Sequence, residues 1–240
     1  MAADPNDSIH YDDCGFDISH LNEDLNFSRL ATTAKRKFCI VKITEGHTFQ
    51  DPMVESHLQN LISAGITRLG VYHFAHHGDP KGQMQFFLDT FSRVAREIGG
   101  RQKFLFMLDL EVNDTDPNPP RESDGLAMVQ HLQSVGIPNP IIYCGGGFWT
   151  EKHPELVTCG HLLAAYNDHP TTALPWRVPG PDTYGWDIWQ YTGDSQGPFA
   201  KNIPGGSTGM DLDCFNLKKH PDGFEQWWDA QLEMTQPDLA

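Results

Sequence analysis

Asp109 and Glu111 stand two residues apart at the end of an apolar run, Phe104-Leu105-Phe106-Met107-Leu108. On a β-strand, residues i and i+2 point to one face, and at a rise of about 3.3 Å per residue their Cα atoms lie about 6.6 Å apart. Two carboxyl groups that close repel each other as anions, so the more buried one is expected to hold its proton near neutrality. A neutral acid beside an ionised carboxylate is equipment for cleaving a glycosidic bond. One group protonates the leaving oxygen while the other stabilises the positive charge that develops at the anomeric carbon. An isolated D-x-E could equally cap a helix or solvate a loop, but further acids lie in similar settings. Asp17 closes Gly15-Phe16-Asp17-Ile18-Ser19, and Asp211 and Asp213 lie in Met210-Asp211-Leu212-Asp213-Cys214-Phe215.

Such acids meet only if separate strands bring them to one rim. Strands are expected at Gly15–Ser19, Phe38–Thr44, Leu69–Phe74, Phe104–Val112, Pro140–Cys144, Leu162–Tyr166, Trp186–Tyr191 and Met210–Phe215. The early ones, such as Cys39-Ile40-Val41-Lys42-Ile43, are almost continuously apolar, as parallel strands covered on both faces are. Helical spacing falls between them at Pro52–Ala64, Pro80–Ile98, Glu122–Val135 and Thr150–Val157, with Gly65, Gly99 and Gly136 standing where C-caps belong. The last third loses this alternation to loops rich in Pro and Gly. The expected fold is therefore α/β: a single irregular TIM-like barrel with about five βα units plus three further strands, and a C-terminal helix. Residues 1–11 form an N-terminal extension, 12–218 the barrel, and 219–240 a C-terminal helix and tail packed on its outside through Phe224, Trp227, Trp228 and Leu232. In a parallel barrel the C-terminal strand ends share one rim, where Asp17, Asp109, Glu111, Asp211 and Asp213 would converge. Tyr72, Phe74, Tyr143, Phe148, Trp149, Tyr166, Trp189 and Tyr191 also fall at or just past strand ends, where flat rings could stack on pyranoses.

The 240 residues carry 17 Lys+Arg against 32 Asp+Glu, a formal net charge of −15, which argues against nucleic acids and anionic membrane surfaces as partners. A hydrophobic content of 39% with only 20% charged residues describes a globular chain rather than a disordered acidic one. No apolar run approaches the roughly 20 residues of a transmembrane helix. The N-terminal residues show neither the basic nor the apolar region of a secretory signal. The five cysteines, Cys14, Cys39, Cys144, Cys159 and Cys214, are widely spaced and fit buried free thiols better than a disulfide framework or a zinc site. His73, His76 and His77 cluster, but H-x-x-H-H in a loop has no established metal-ligand spacing, so neither metal nor cofactor is expected.

In order along the chain, Gly15-Phe16-Asp17-Ile18-Ser19, Val41-Lys42-Ile43-Thr44-Glu45-Gly46, Gly70-Val71-Tyr72-His73-Phe74, Leu108-Asp109-Leu110-Glu111, Ile142-Tyr143-Cys144 with Phe148-Trp149, Ala164-Ala165-Tyr166, Trp189-Gln190-Tyr191 and Asp211-Leu212-Asp213 resemble the marker segments of glycoside hydrolase family 25. These are the Chalaropsis-type lysozymes, or N-acetylmuramidases. The resemblance runs from about residue 12 to 216. It implies a barrel of five βα units and three further strands, and retaining hydrolysis of the β-1,4 bond between N-acetylmuramic acid and N-acetylglucosamine in peptidoglycan. It implies Glu111 as acid/base and Asp109 as its partner, either a direct nucleophile or the group that orients the substrate's own 2-acetamido oxygen. The second role suits an i, i+2 pair better, because such a pair approaches the sugar from one side. Asp17 and Asp211 match the remaining family acids, and mutual repulsion among these carboxylates would help keep Glu111 protonated. Lys42, Glu45, Tyr72, His73, Tyr143, Trp149, Tyr166, Trp189, Gln190 and Asp213 are carried over as substrate-binding residues.

Two departures stand out. The segment Leu162-Leu163-Ala164-Ala165-Tyr166 lacks a Trp that members often carry, and Asp213 stands where Asn is usual. The resemblance implies a monomer acting on peptidoglycan glycan strands. As a leaderless muramidase it would serve as a phage endolysin, as an exported antibacterial effector paired with an immunity protein, or as the mature form of a secreted enzyme. A non-catalytic glycan-binding barrel and a metal-dependent hydrolase are the rival readings.

Overall fold

A computed structural model describes residues 11–100, 102–112, 116–145, 148–149, 153–166, 186–193, 196–197 and 202–235. Among the described residues there are nine strands: β1 (Tyr11–Ile18), β2 (Phe38–Glu45), β3 (Phe49–Gln50), β4 (Arg68–Phe74), β5 (Phe104–Leu110), β6 (Ile141–Gly145), β7 (Gly160–Ala164), β8 (Ile188–Thr192) and β9 (Asp211–Asn216). The helices are α1 (Phe27–Thr32), α2 (Val54–Ser63), α3 (Pro80–Glu97), α4 (Glu122–Ser134) and α5 (Phe224–Met234). The strand order is β1-β9-β8-β7-β6-β5-β4-β2, and a β1–β2 pairing closes it into a barrel, with β3 attached to β2 as a hairpin. None of the described helices is long and apolar enough to cross a membrane.

The βα units form as their sequences dictate. In α3, the Asp79 side chain accepts from the Gly82 amide at 3.1 Å, Pro80 occupies the first turn, and Met84, Phe87, Leu88, Phe91 and Val94 recur at helical spacing on the buried face. Gly65 and Gly136 adopt positive φ just beyond α2 and α4, as expected of C-caps. Two elements escape the sequence reading, α1 and β3, at six and two residues too short to show a period. Of the expected helix Thr150–Val157, residues 150–152 lie outside the described residues, and Pro154–Leu156 form a 3-10 turn.

The barrel is mixed rather than wholly parallel. β9 runs antiparallel to both neighbours, β8 and β1, while every other pair of barrel strands is parallel. The physical reason is the connection: a parallel return needs a crossover such as a helix, and a loop suffices for an antiparallel one. Asp211 therefore reaches the mouth from the start of β9, not from a C-terminal strand end.

Packing divides into two layers. Phe16, Val41, Val71, Phe106, Leu108 and Ile142 point outward against the helices. Ile40, Tyr72, Leu105, Met107, Tyr143, Leu162 and Ile188 fill the interior. Helix α5 does not lie along the outer wall: Phe224 and Trp228 contact Phe38 at ring-centroid distances of 4.9 and 5.1 Å, and Phe215 contacts Phe224 at 5.4 Å. Phe38 opens β2, and Arg68, which opens β4, pairs with Asp229 of α5. The helix thus closes the floor of the barrel and leaves the opposite end open.

Candidate active site

The pleat of β5 decides what faces the mouth. Phe104, Phe106 and Leu108 pack outward, with Phe91 edge-on to Phe106 at 4.8 Å, so Leu105, Met107 and Asp109 face inward. Glu111 continues that face just past the strand and lines a cavity of about 500 Å³ with Leu110, Val112, Tyr143, Gly145, Phe148, Ala164 and Tyr166. Asp109 sits deeper, only 7% exposed, and its Oδ1 has no hydrogen-bond partner among the described residues. Burial pushes its carboxyl well above the usual range, helped by the negative charges of Glu111, Asp17 and Asp211 and opposed by Lys42. The four expected acids are therefore close enough to act on one another. Burial first and their repulsion second favour the acid form of Asp109, which is buried where Glu111 is partly exposed.

Asp17 and Asp211 are direct partners across the β1–β9 ladder. Below them, the Gln190 amide on β8 donates to Asp17 Oδ2 at 2.7 Å, and its Oε1 accepts from the hydroxyls of Tyr143 at 3.1 Å and Tyr166 at 2.6 Å. Tyr72 and Tyr143 stay neutral phenols: burial pushes both hydroxyls far up, followed by the nearby carboxylates for Tyr72 and by Tyr166 and then the carboxylates for Tyr143. A Cβ added at Gly193 would lie 2.7 Å from Asp211 Oδ1 and collide with the Tyr166 hydroxyl, so the chain needs glycine there for close approach.

The opposite side of the mouth is charged. Lys42 Nζ pairs with Glu45 Oε2 at 2.6 Å and lies over the Phe74 ring at 4.8 Å. His76 bridges Glu45 Oε1 at 3.2 Å and Asp116 Oδ2 at 3.0 Å. Although burial alone would raise it, Lys42 and His76 hold the Glu45 carboxyl below its ordinary range.

A shared fold with this acid constellation invites comparison with known sequences. The profile described as "Glycosyl hydrolases family 25" matches residues 16–198. The chain belongs to this family. It is 33% identical over 222 residues to Lysozyme M1 of Streptomyces globisporus, covering 84% of this chain and 67% of that protein. It is 37% identical over 194 residues to the N,O-diacetylmuramidase of a Chalaropsis species, covering 73% of this chain and 86% of that protein. Among solved structures it resembles the muramidase of Trichobolus zukalii, with a TM-score of 0.64 and 26% identity over 92% of this chain and 99% of that one.

In this family 25 barrel, several residues carried over as substrate contacts prove to be elsewhere. His73 alternates with inward Tyr72 and Phe74 and so points outward, fully buried, between Thr44 Oγ1 at 2.9 Å and Gln83 Oε1 at 3.1 Å. Burial pulls its pKa down to about 4. Trp149 is buried against the α4 helix, where Gly125 admits its ring. Trp189 faces outward beside inward Gln190 and donates its indole N–H to the Ala165 carbonyl at 2.8 Å. These three aromatic rings belong to the outer layer, not to the mouth. Gln190 and Asp213 do face inward, as ladder partners, but both are buried beneath the mouth. Tyr143 and Tyr166 line the cavity, while Tyr72 and Lys42 lie within electrostatic reach of Asp109 and Lys42 is paired with Glu45. The cavity also exposes residues the site reading missed. Of these, Phe148 stood out only as an aromatic beyond a strand, while Leu110, Val112 and Ala164 gave no signal. The three clustered histidines engage different partners: His76 binds Glu45 and Asp116, and His77 binds Asp124 at 2.8 Å.

Proposed function

We propose that this family 25 glycosidase is a muramidase that cleaves the β-1,4 bond between N-acetylmuramic acid and N-acetylglucosamine in peptidoglycan, with retention and assistance from the substrate. The observation that carries the reading is the division of the pair: Glu111 opens on the cavity, while Asp109 lies buried below it, its Oδ1 without a hydrogen-bond partner among the described residues. The names of the two sequence relatives, a lysozyme and a diacetylmuramidase, support the same substrate class.

In the free protein, burial and the neighbouring Glu111 charge favour a proton on Asp109. When the sugar binds, its acetamido N–H donates to the Asp109 carboxylate. That bond favours the ionised form of Asp109 and leaves the proton on Glu111. Glu111 then protonates the leaving glycosidic oxygen as the acetamido oxygen attacks the anomeric carbon from the other face. The resulting oxazolinium ion carries its N–H against the Asp109 carboxylate. Water next attacks the anomeric carbon, Glu111 takes its proton, and the acetamido group is released with the original configuration restored.

Release of reducing ends from purified peptidoglycan tests the reading. Wild type is expected to be active and Glu111→Gln to lose on the order of a thousandfold in kcat, within the range for a general acid. A wild type that binds peptidoglycan but releases nothing would make this a glycan-binding barrel instead. A covalent glycosyl adduct on Asp109 would replace substrate assistance with direct nucleophilic attack.

A further inference from the structure

Gln190 in the barrel interior ties together β1, β6 and the segment just past β7 through its side-chain hydrogen bonds. It stands on β8, is 1% exposed, and spans from Asp17 on β1 to Tyr143 on β6 and Tyr166 just past β7. The sense of the amide is fixed by chemistry. A carboxylate can only accept, so the NH₂ must face Asp17 and the carbonyl must face the two phenols. Buried this way, Gln190 is too deep to bind sugar, yet every group it holds borders the acid pair: the charge of Asp17 acts directly on Asp109, and Tyr143 is the ladder partner of Asp109.

We propose that Gln190 is a positioning residue of the reaction, a carboxamide that holds Asp17 as an oriented anion and turns the Tyr143 hydroxyl proton away from the sugar. This inference rests on the muramidase reading. Tyr143 has a single proton, and it is spent on Gln190, so toward the cavity the phenol offers a lone pair, fit to accept from a substrate hydroxyl or N–H. The Asp17 carboxylate, oriented by the amide N–H, contributes to the negative field that favours a proton on Asp109. The titratable groups around the amide are Asp17, Tyr143, Tyr166 and its ladder partner Asp213, with Asp109 and Asp211 beyond them.

The test exploits the near identity in shape of a carboxamide and a carboxylic acid. In Gln190→Glu, the introduced group can replace the amide only when protonated, since only then does it donate to Asp17 while its carbonyl accepts from the phenols. The variant-to-wild-type ratio of kcat is expected to fall about tenfold to a hundredfold at neutral pH. It should recover as the pH is lowered, with KM almost unchanged. Gln190→Leu, which offers neither donor nor acceptor, should stay low at every pH. A ratio for Gln190→Glu that is constant with pH, whether high or low, would overturn the role. A wild type that is itself inert would overturn the muramidase reading instead. Should the variants not fold, the wild type decides: the Gln190 side-chain ¹⁵NH₂ resonances, identified by contacts to the Tyr143 and Tyr166 rings, are expected to shift as Asp17 protonates. Resonances that stay still throughout acid titration would refute the hydrogen bond on which the proposal stands.

Discussion

Asp17 and Asp211 are opposed directly across the β1–β9 ladder, one of the two antiparallel seams that flank β9. Like charges placed opposite each other in a ladder oppose folding, so this pairing makes sense chiefly by what it does to a third group. Both carboxylates push the Asp109 carboxyl upward. Asp211→Asn removes one of them, so the acid pair should lose its proton at lower pH. The alkaline limb of the kcat/KM profile is expected to move down by on the order of one pH unit, the scale of one carboxylate acting through a partly buried medium. Matched pH–rate profiles check this, and an unmoved limb would mean that Asp211 does not act on the pair.

Asp109 itself should be more costly to keep than to replace. Its folded pKa is raised above the unfolded one, so the folded protein binds a proton that the unfolded chain has released, and stability is lost as pH rises through the folded pKa. Asparagine is neutral throughout and escapes that loss. Asp109→Asn is expected to melt at or above the wild-type temperature at pH 8, while turnover falls by about a hundredfold or more. Thermal unfolding at acid and alkaline pH, beside the reducing-end assay, measures both. A large loss of stability would mark the pair as structural.

His73 gives the opposite dependence. Burial lowers its pKa from 6.5 to about 4, so the unfolded chain takes up a proton that the folded protein refuses. Stability from this residue is fully present above pH 6.5 and is lost as the pH falls toward 4. The loss is on the order of 3 kcal/mol at the value of one pKa unit. His73→Gln keeps a donor and an acceptor for Thr44 and Gln83 but cannot titrate. Urea unfolding between pH 7 and 4 should therefore show a shallower decline for the variant, and parallel declines would place the proton uptake elsewhere.

The acid pair was legible because an apolar strand ending in D-x-E is rare in loops and its two-residue period fixes a common face. The face of each aromatic ring was not legible, for a reason visible in Trp189-Gln190-Tyr191. At the mouth of a barrel the interior is the polar side, so the usual rule inverts: Gln190 turns in and the two aromatics turn out. In Tyr72-His73-Phe74 the alternation is the reverse, and only the polar pocket of Thr44 and Gln83, distant in sequence, explains why His73 is the outward member. The reversal of β9 was hidden likewise, since the sequence of a strand carries no mark of its direction and the lack of a connecting helix is weak information by itself.

That difference between faces can be measured on two aromatic residues that the sequence treats alike. Tyr166 lines the cavity and is half-buried, whereas Trp189 is fully buried in the outer layer and bonded to the Ala165 carbonyl. Trp189→Phe deletes that hydrogen bond and leaves a small void, which should cost about 1–3 kcal/mol of stability with KM unchanged. Tyr166→Ala removes a flat wall beside Glu111 and one of the two phenols on Gln190. It should raise KM by roughly tenfold and lower kcat as well, with a smaller stability loss, because the ring is already partly solvated. Chemical unfolding and steady-state kinetics on the two variants separate the roles. If Trp189→Phe were instead to raise KM at full stability, its ring would have to reach the glycan, and the outward assignment of β8 would fail with it.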